Sequence, residues 1–338
     1  MRTIEWKGDH VRLIDQTALA GKIAYIEIRE VDSMIDAIRG LVVRGAPAIG
    51  VAGSFGVVLA ARTARHAGAG IDQIRNDAQR IIEARPTAVN LRWAVERIMN
   101  IVGSSNNIDE ICDLSEKEAN AILEEDVITN KQMSVLGANY VESLTNGRVS
   151  VQTHCNAGGL ACVEWGTALG VVRTLHERGM LLKVFASETR PLLQGSRLTA
   201  FELAQLGIDH LIVVDGAGPS VIATGLVDVV LVGADRIATN GDTANKIGTY
   251  PLALAANRAG VPFIVVAPES TVDVTTISGA EIQIELRSED EILNWNGARI
   301  APGASRAYNP AFDITPHDLI TAIITERRII RPQLGKPL

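Results

Sequence analysis

The chain has 338 residues, 47% of them hydrophobic and 21% charged, a composition that suits a globular protein with room for about two cores. Its 32 basic and 39 acidic residues leave a net charge of -7, which argues against a nucleic-acid partner, and aromatics at 4% argue against a base-stacking platform. No run of eighteen or so apolar residues appears and the start lacks an apolar leader core, so no membrane is expected and the expected location is cytoplasmic.

In chain order, three short β-like runs come first, Thr3–Trp6, His10–Ile14 and Lys22–Arg29, punctuated by Gly8 and Gly21. They predict a small antiparallel meander. From Val31 to about Leu144 apolar residues recur at three- and four-residue spacing, which predicts helices over Ile49–Ala64, Ile71–Ile82, Leu91–Ile101 and Ile108–Val141. The texture changes at Thr145-Asn146-Gly147. Strand-like runs then follow at Val149–Cys155, Leu181–Ala186, His210–Val214, Val227–Val232 and Phe263–Ala267. Helix-like runs alternate with them at Ala161–His176, Leu198–Gln205, Ser220–Thr224 and Lys246–Ala259. Alternation of this kind is the signature of a Rossmann-like, doubly wound parallel sheet. The expected fold is therefore α/β, with an N-terminal β-meander and helical domain (1–146) followed by a Rossmann-like domain (147–338).

Ligands of such sheets bind beyond the carboxyl ends of the strands, which directs attention to polar segments there. The first is Thr153-His154-Cys155-Asn156-Ala157-Gly158-Gly159, with a helix expected from near Leu160. Amides at that helix start would favour an anion and a thiolate at Cys155. A small buried cysteine filling space is the equal alternative, and it suits Cys112 and Cys162 better. The second runs from Gly233 to Lys246. It delivers Asp235 to the strand edge, where partial burial would raise its pKa, and puts Asn245 and Lys246 at the expected start of the next helix. Pairing of Asp235 with Arg236, and a plain turn at Asn240-Gly241-Asp242, are the alternatives.

The third is Val43-Arg44-Gly45-Ala46-Pro47, where two amides and a guanidinium ahead of a helix can clamp phosphate or simply cap it. Arg85-Pro86-Thr87 offers a similar choice. The fourth, Glu188 to Arg197, lies on the ligand edge but also suits a solvated loop. Three cysteines without a C-x-x-C pair and six scattered histidines give neither a disulfide framework nor a zinc site, so no metal is expected. Gly216-Ala217-Gly218 lacks the third glycine of a dinucleotide fingerprint, and no P-loop is present.

Taken together, RGAPAIG (Arg44–Gly50), RPTAVNL (Arg85–Leu91), THCNAGGLA (Thr153–Ala161), ETRPLLQGSRLTAFEL (Glu188–Leu203), GADRIATNGDTANKIGTY (Gly233–Tyr250) and NPAFDITPHDLITAIITE (Asn309–Glu326) resemble the methylthioribose-1-phosphate isomerase family. That family is related to the regulatory subunits of the eukaryotic initiation-factor exchange complex. The resemblance covers essentially the whole chain. It implies a cofactor-free aldose–ketose isomerase, usually a homodimer, acting on a sugar phosphate. It also implies Cys155 and Asp235 as the catalytic pair, with Arg44, Gly45, Ala46, Arg85, Gln194, Asn245 and Lys246 binding substrate. Two departures, Gly159–Gly166 with its Cys162, Glu164 and Trp165, and Val214–Gly218, fall where the pocket around the sugar 5-position is expected. They keep 5-deoxyribose 1-phosphate and ribose 1,5-bisphosphate open beside methylthioribose 1-phosphate. A non-catalytic regulatory subunit is the competing class, but such a scaffold has no chemical need for the thiol and the acid.

Overall fold

The computed structural model describes residues 1–334. Strands β1 (Ile4–Trp6), β2 (Val11–Ile14) and β3 (Tyr25–Ile28) form the antiparallel meander. Helices α1 (Val31–Arg39), α2 (Ala46–Ala67), α3 (Ile71–Ile82), α4 (Val89–Val102) and α5 (Ile108–Leu144) follow. Asn107 caps α5, its side-chain oxygen accepting from the Asp109 amide at 3.0 Å, with Asp109 and Glu110 completing the acidic first turn.

Helix α2 is the hub of this half. A β-carbon on Gly50 would meet the Asn90 carbonyl oxygen at 2.9 Å, one on Gly53 would collide with Leu91, and one on Gly56 would meet Ile81 at 2.9 Å. Glycines three apart therefore let α3 and α4 close on one side of α2. Its mean hydropathy of 1.3 over eighteen residues is high enough to cross a membrane, yet 83% of that window is buried inside the protein. It is a core helix. Phe55, fully buried on α2, stacks on Trp6 with ring centroids 5.4 Å apart and so joins the helices to the meander.

The second half carries β4 (Val149–Thr153), α6 (Ala168–Glu177), β5 (Leu181–Ser187), α7 (Ala200–Gln205), β6 (His210–Val213), α8 (Gly218–Ala223) and β7 (Val229–Val232). Then come β8 (Arg236–Ala238), β9 (Thr243–Lys246), α9 (Thr249–Ala259), β10 (Phe263–Val266) and β11 (Val272–Asp273). The chain continues through α10 (Asp290–Leu293), the hairpin β12 (Asn294–Trp295) and β13 (Ala298–Arg299), β14 (Phe312–Thr315), β15 (Ala322–Ile324) and β16 (Ile329–Ile330).

The main sheet has the order β16-β15-β10-β7-β4-β5-β6 and is parallel except at β16. Its central strands β4, β7 and β10 are buried on both faces, which is why β7 and β10 read as unbroken apolar runs, while β4 also buries Ser150, Gln152 and Thr153. Each such apolar side chain taken from water contributes about 1.5–3 kcal/mol. The chain winds outward from β4 to β5 and β6, then returns to lay β7 on the other side of β4. The topological switch point, where a ligand crevice opens, thus lies between β4 and β7. A second sheet, β11-β8-β9-β14, stands beside that opening.

Three expectations need correction. The helix expected over Ala161–His176 starts only at Ala168, because Gly159–Ala161 forms one 3-10 turn and Trp165 and Gly166 take positive φ before the chain can enter α6. Asn245 and Lys246 lie on β9, not at a helix start. They pair with Asp313 and Phe312 of β14, and α9 begins at Thr249 after the left-handed Gly248. Asn240-Gly241-Asp242 is the turn joining β8 to β9, and Asp242 serves it structurally, accepting from the His317 amide at 2.9 Å.

Candidate active site

A small cavity of about 70 Å³ opens at the switch point, and Arg44, Gly45, Ala46, Arg85, Cys155, Gln194, Asp235, Asn245 and Lys246 all line it. They arrive from six separate segments of the chain. Cys155 follows β4 by two residues, and Asp235 sits between β7 and β8 with its amide donating to the Ala244 carbonyl at 2.9 Å. The first half of the chain supplies Arg44, Gly45 and Ala46 at the start of α2. Gly45 has φ 95, and a β-carbon there would sit in the backbone of Ala161, so only glycine fits. Pro47 adds no amide, leaving the Gly45 and Ala46 N–H groups at the positive end of a 22-residue helix.

The cations are held differently. Arg44 donates from Nη1 to Asn156 Oδ1 and from Nη2 to the Asn156 carbonyl, both at 2.8 Å, so neutral partners hold it and its charge stays uncompensated. Lys246 Nζ likewise donates to a carbonyl, that of Ala311, at 2.8 Å, and lies 4.4 Å from the Phe312 ring centroid. Arg85 is paired with Glu285 at 2.9 Å, and the same carboxylate reaches Arg287 at 3.2 Å. Burial acts to raise the Glu285 pKa, but Arg85 and Arg287 overcome it and hold the carboxyl below its usual range.

Burial pushes the Asp235 carboxyl up from the usual 3.8, against the pull of Lys246, Arg85 and Arg44. It pushes the Cys155 thiol up as well, although Arg44 and Lys246 act the other way. The thiolate expected from a helix start therefore does not form at rest: no helix begins at Leu160, and desolvation outweighs the neighbouring cations. Burial lowers the Lys246 pKa, with Cys155 and Asp235 opposing. Cys155 itself has φ 60, an uncommon conformation for a residue with a side chain. Its amide donates toward Thr189 Oγ1 at 2.8 Å and its carbonyl accepts from Thr199 Oγ1 at 2.6 Å.

Sequence reasoning missed several of these groups. Asn156, Thr189, Thr199, Glu202, Glu285 and Arg287 carry the geometry; Asn156 and Thr189 stand inside candidate segments without having been singled out, and the other four lie outside them. His154 also lines the cavity, and its Nε2 donates to the Ile247 carbonyl at 2.8 Å, which leaves Nδ1 bare. In the fourth segment only Leu192 and Gln194 reach the cavity, while Arg197 binds the Gln16 carbonyl at 2.7 Å. Asp235 is not paired with Arg236, whose guanidinium donates to the Thr87 carbonyl at 2.7 Å.

Of the two departures, Cys162 lines the cavity, but Glu164 pairs with Arg2 and Trp165 lies under Arg173 at 3.7 Å, both away from it. Asp215 acts at one remove, accepting the Thr189 amide at 2.8 Å. Cys112 and Cys162 are buried, free thiols. Among the described residues no group of three His, Cys, Asp or Glu side chains could hold a metal ion.

Residues 42–332 match the model of the initiation factor 2 subunit family. The chain is 47% identical over 332 residues, 98% of its length and 95% of the relative's, to methylthioribose-1-phosphate isomerase 1 of Pseudothermotoga lettingae. It is 46% identical over 331 residues, 98% of this chain and 95% of the relative, to methylthioribose-1-phosphate isomerase of Thermotoga maritima. Two crystal structures are similar over 99% of the chain, each at 42% identity. One is 5-methylthioribose 1-phosphate isomerase from Pyrococcus horikoshii OT3, with a TM-score of 0.88 over 94% of that chain. The other is translation initiation factor eIF-2B, subunit delta, from A. fulgidus, with a TM-score of 0.84 over 97% of that chain.

A doubly wound sheet with a cationic cavity at its switch point, matched over this length, defines the class: the chain belongs to the initiation factor 2 subunit family. Within it the chain falls among the methylthioribose-1-phosphate isomerases, and it is an enzyme, an aldose–ketose isomerase.

Proposed function

We propose that the chain converts 5-methylthioribose 1-phosphate to 5-methylthioribulose 1-phosphate, the isomerisation of methionine salvage, in the cavity between β4 and β7. The observation that carries this reading is the meeting of a buried thiol and a carboxyl of raised pKa with cations held by neutral partners in one crevice.

A sugar 1-phosphate is a closed acetal with no free aldehyde. Asp235, whose carboxyl holds its proton more tightly because it is buried, gives that proton to the ring oxygen as the bond from that oxygen to C1 breaks. A hydrogen then moves from C2 to C1, and the C2 hydroxyl returns a proton to the Asp235 carboxylate as the ketone forms. Protons and electrons balance, and the enzyme is restored. Cys155, a thiol at rest, lies against this transfer and either shapes a water-poor wall around it or serves it as a base. In the second case it passes its own proton to the Asp235 carboxylate left by ring opening, takes the C2 proton and returns it to C1, and the C2 hydroxyl proton then restores the thiol. Arg44, Lys246 and the Gly45 and Ala46 amides hold the phosphate, with Gln194 and Asn245 on the sugar hydroxyls. Arg85, already bridged by Glu285 to Arg287, offers less net charge for a second phosphate, which favours a 5-methylthio or 5-deoxy end over a bisphosphate.

A translation-factor subunit also stands among the similar structures. The two reactive groups in one cavity favour the enzyme, and the same reading places it in the cytoplasm. It divides the chain at 146/147, with α5 as a shared strut whose buried residues enter the cores of both halves. It makes the enzyme a homodimer, for which Leu211, Ile212, Val214 and Leu226 at the β6 edge, each about half exposed, provide an apolar face.

The test is turnover followed by NMR on methylthioribose 1-phosphate, 5-deoxyribose 1-phosphate and ribose 1,5-bisphosphate, each deuterated at C2. The first should turn over fastest. Deuterium kept at C1 of the product marks a direct shift, and loss to solvent marks an enediolate with Cys155 as base. No turnover of any of the three would refute the proposal.

A further inference from the structure

The isomerisation needs Cys155 and Arg44 in fixed relation, yet neither is held by a regular element. Cys155 lies beyond the end of β4 with a left-handed backbone, and Arg44 precedes α2. What fixes both comes from the Leu198–Gln205 run, which the sequence predicts as a helix and to which no chemistry was assigned on its own. Residues Gly195–Thr199 form a wide π-helical turn that runs into α7, and the turn packs so tightly that a β-carbon on Gly195 would strike the Ser187 carbonyl.

This turn and α7 present Thr199 and Glu202, three residues apart and so on one helix face, to the Cys155–Leu160 segment. Thr199 Oγ1 donates to the Cys155 carbonyl at 2.6 Å. Glu202 accepts three bonds there: from Asn156 Nδ2 at 2.8 Å, from the Gly159 amide at 2.7 Å and from the Leu160 amide at 3.3 Å. Its carboxylate fills the space beside Gly158, where any β-carbon would collide with it. Asn156 is the hinge of the arrangement: its amide nitrogen is held by Glu202, while its two oxygens hold Arg44.

We propose that Glu202 is a positioning residue for the isomerisation, fixing the turn that carries Cys155 and, through Asn156, the Arg44 guanidinium, with Thr199 as its partner on the same helix face. The assignment rests on the roles given above to Cys155 and Arg44. It adds a fixed chain of contacts, α7 to Asn156 to Arg44, that sets the distance between the phosphate grip and the thiol. A carboxylate suits this role because all three of its partners are donors, so each bond is charge-assisted. Glutamine keeps the volume but turns an N–H toward a donor.

The test compares Glu202→Gln, Thr199→Val and Thr199→Ser with the full-length enzyme. Three readouts are taken: kcat and KM, binding of inorganic phosphate by calorimetry, and the pH profile of iodoacetamide labelling of the Cys155 peptide read by mass spectrometry. Glu202→Gln should lower kcat on the order of a hundredfold, the scale of a misplacement of about 1 Å, with weaker phosphate binding and a shifted Cys155 labelling profile. Thr199→Val should shift the labelling profile, and Thr199→Ser, which keeps the hydroxyl, should recover it. Thr199→Val also tests the idea if Glu202→Gln does not fold.

Labelling profiles and phosphate affinity equal to those of the unaltered enzyme in a folded Glu202→Gln or Thr199→Val protein would overturn the proposal, whatever the melting temperature. Those two readouts need no sugar substrate. If no candidate sugar is turned over but both readouts change, the substrate assignment fails and the positioning role stands.

Discussion

Asp126 offers a test of the buried electrostatics that is independent of catalysis. It lies on α5, and its Oδ2 accepts from the Val163 amide at 2.7 Å, tying that helix to the segment that follows the Cys155 turn. Burial pushes its pKa up to about 7 from the usual 3.8, the Val163 bond pulls it down, and nearby Glu164 adds to the rise. A carboxyl whose folded pKa is raised binds its proton more tightly in the native state. Stability therefore falls as pH climbs from the free-aspartate range to the folded pKa and is flat beyond it. A rise of this size corresponds to about 4 kcal/mol once the group is ionised.

About 2–3 kcal/mol of this is lost between about pH 5 and about pH 8, the remainder being lost below about pH 5 where the unfolded aspartate titrates. Asp126→Asn keeps an oxygen for the Val163 amide and removes the charge. In denaturant unfolding at several pH values, the variant should gain on the unaltered protein by that amount as pH rises. A stability gap between the two that does not change with pH would refute the reasoning, because it would mean that Asp126 is ionised or solvated like any surface carboxylate.

Asp235→Asn and Cys155→Ala should each lower kcat at least about a hundredfold in steady-state assays, the scale of a lost acid–base group; near-normal turnover in either ends that residue's assignment. With Asp235 as the proposed acid of raised pKa, kcat should fall as pH rises through that pKa, and Asp235→Asn should abolish this limb of the pH profile. Gly45→Ala meets both a disallowed backbone (φ 95) and the Ala161 backbone, so it should cost about 1–3 kcal/mol in thermal unfolding and raise KM by moving the α2 amides. An unchanged KM would separate Gly45 from substrate binding.

The helices of the first half and the central strands were readable because their signals are local: apolar spacing in Ile71–Ile82, and unbroken aliphatics in Val229–Val232. The motif segments found the cavity for the same reason, since a polar residue just past a buried strand has few other places to go. What could not be read depends on partners far along the chain. Glu202 is unremarkable on α7 until the Gly159 and Leu160 amides are brought to it, 43 and 42 positions away. Arg287 and Glu285 sit in a stretch without helical or strand periodicity, and only folding brings Glu285 to Arg85, 200 positions earlier. Asn245 and Lys246 were misplaced onto a helix because the small sheet β11-β8-β9-β14 consists of strands of two to four residues, too short to show alternation.

The parallel order β10-β7-β4-β5 sets the thiol and the acid at the mouths of adjoining strands, whereas Arg44, Gly45, Ala46 and Arg85 come from the other half of the chain. The proposed reacting pair and part of the proposed grip thus come from different halves, while Gln194, Asn245 and Lys246 share the half of the pair. Drift in the helical half can retune which sugar is retained while leaving the reacting pair untouched, and loss of the pair would leave behind a receptor that still recognises a phosphorylated metabolite.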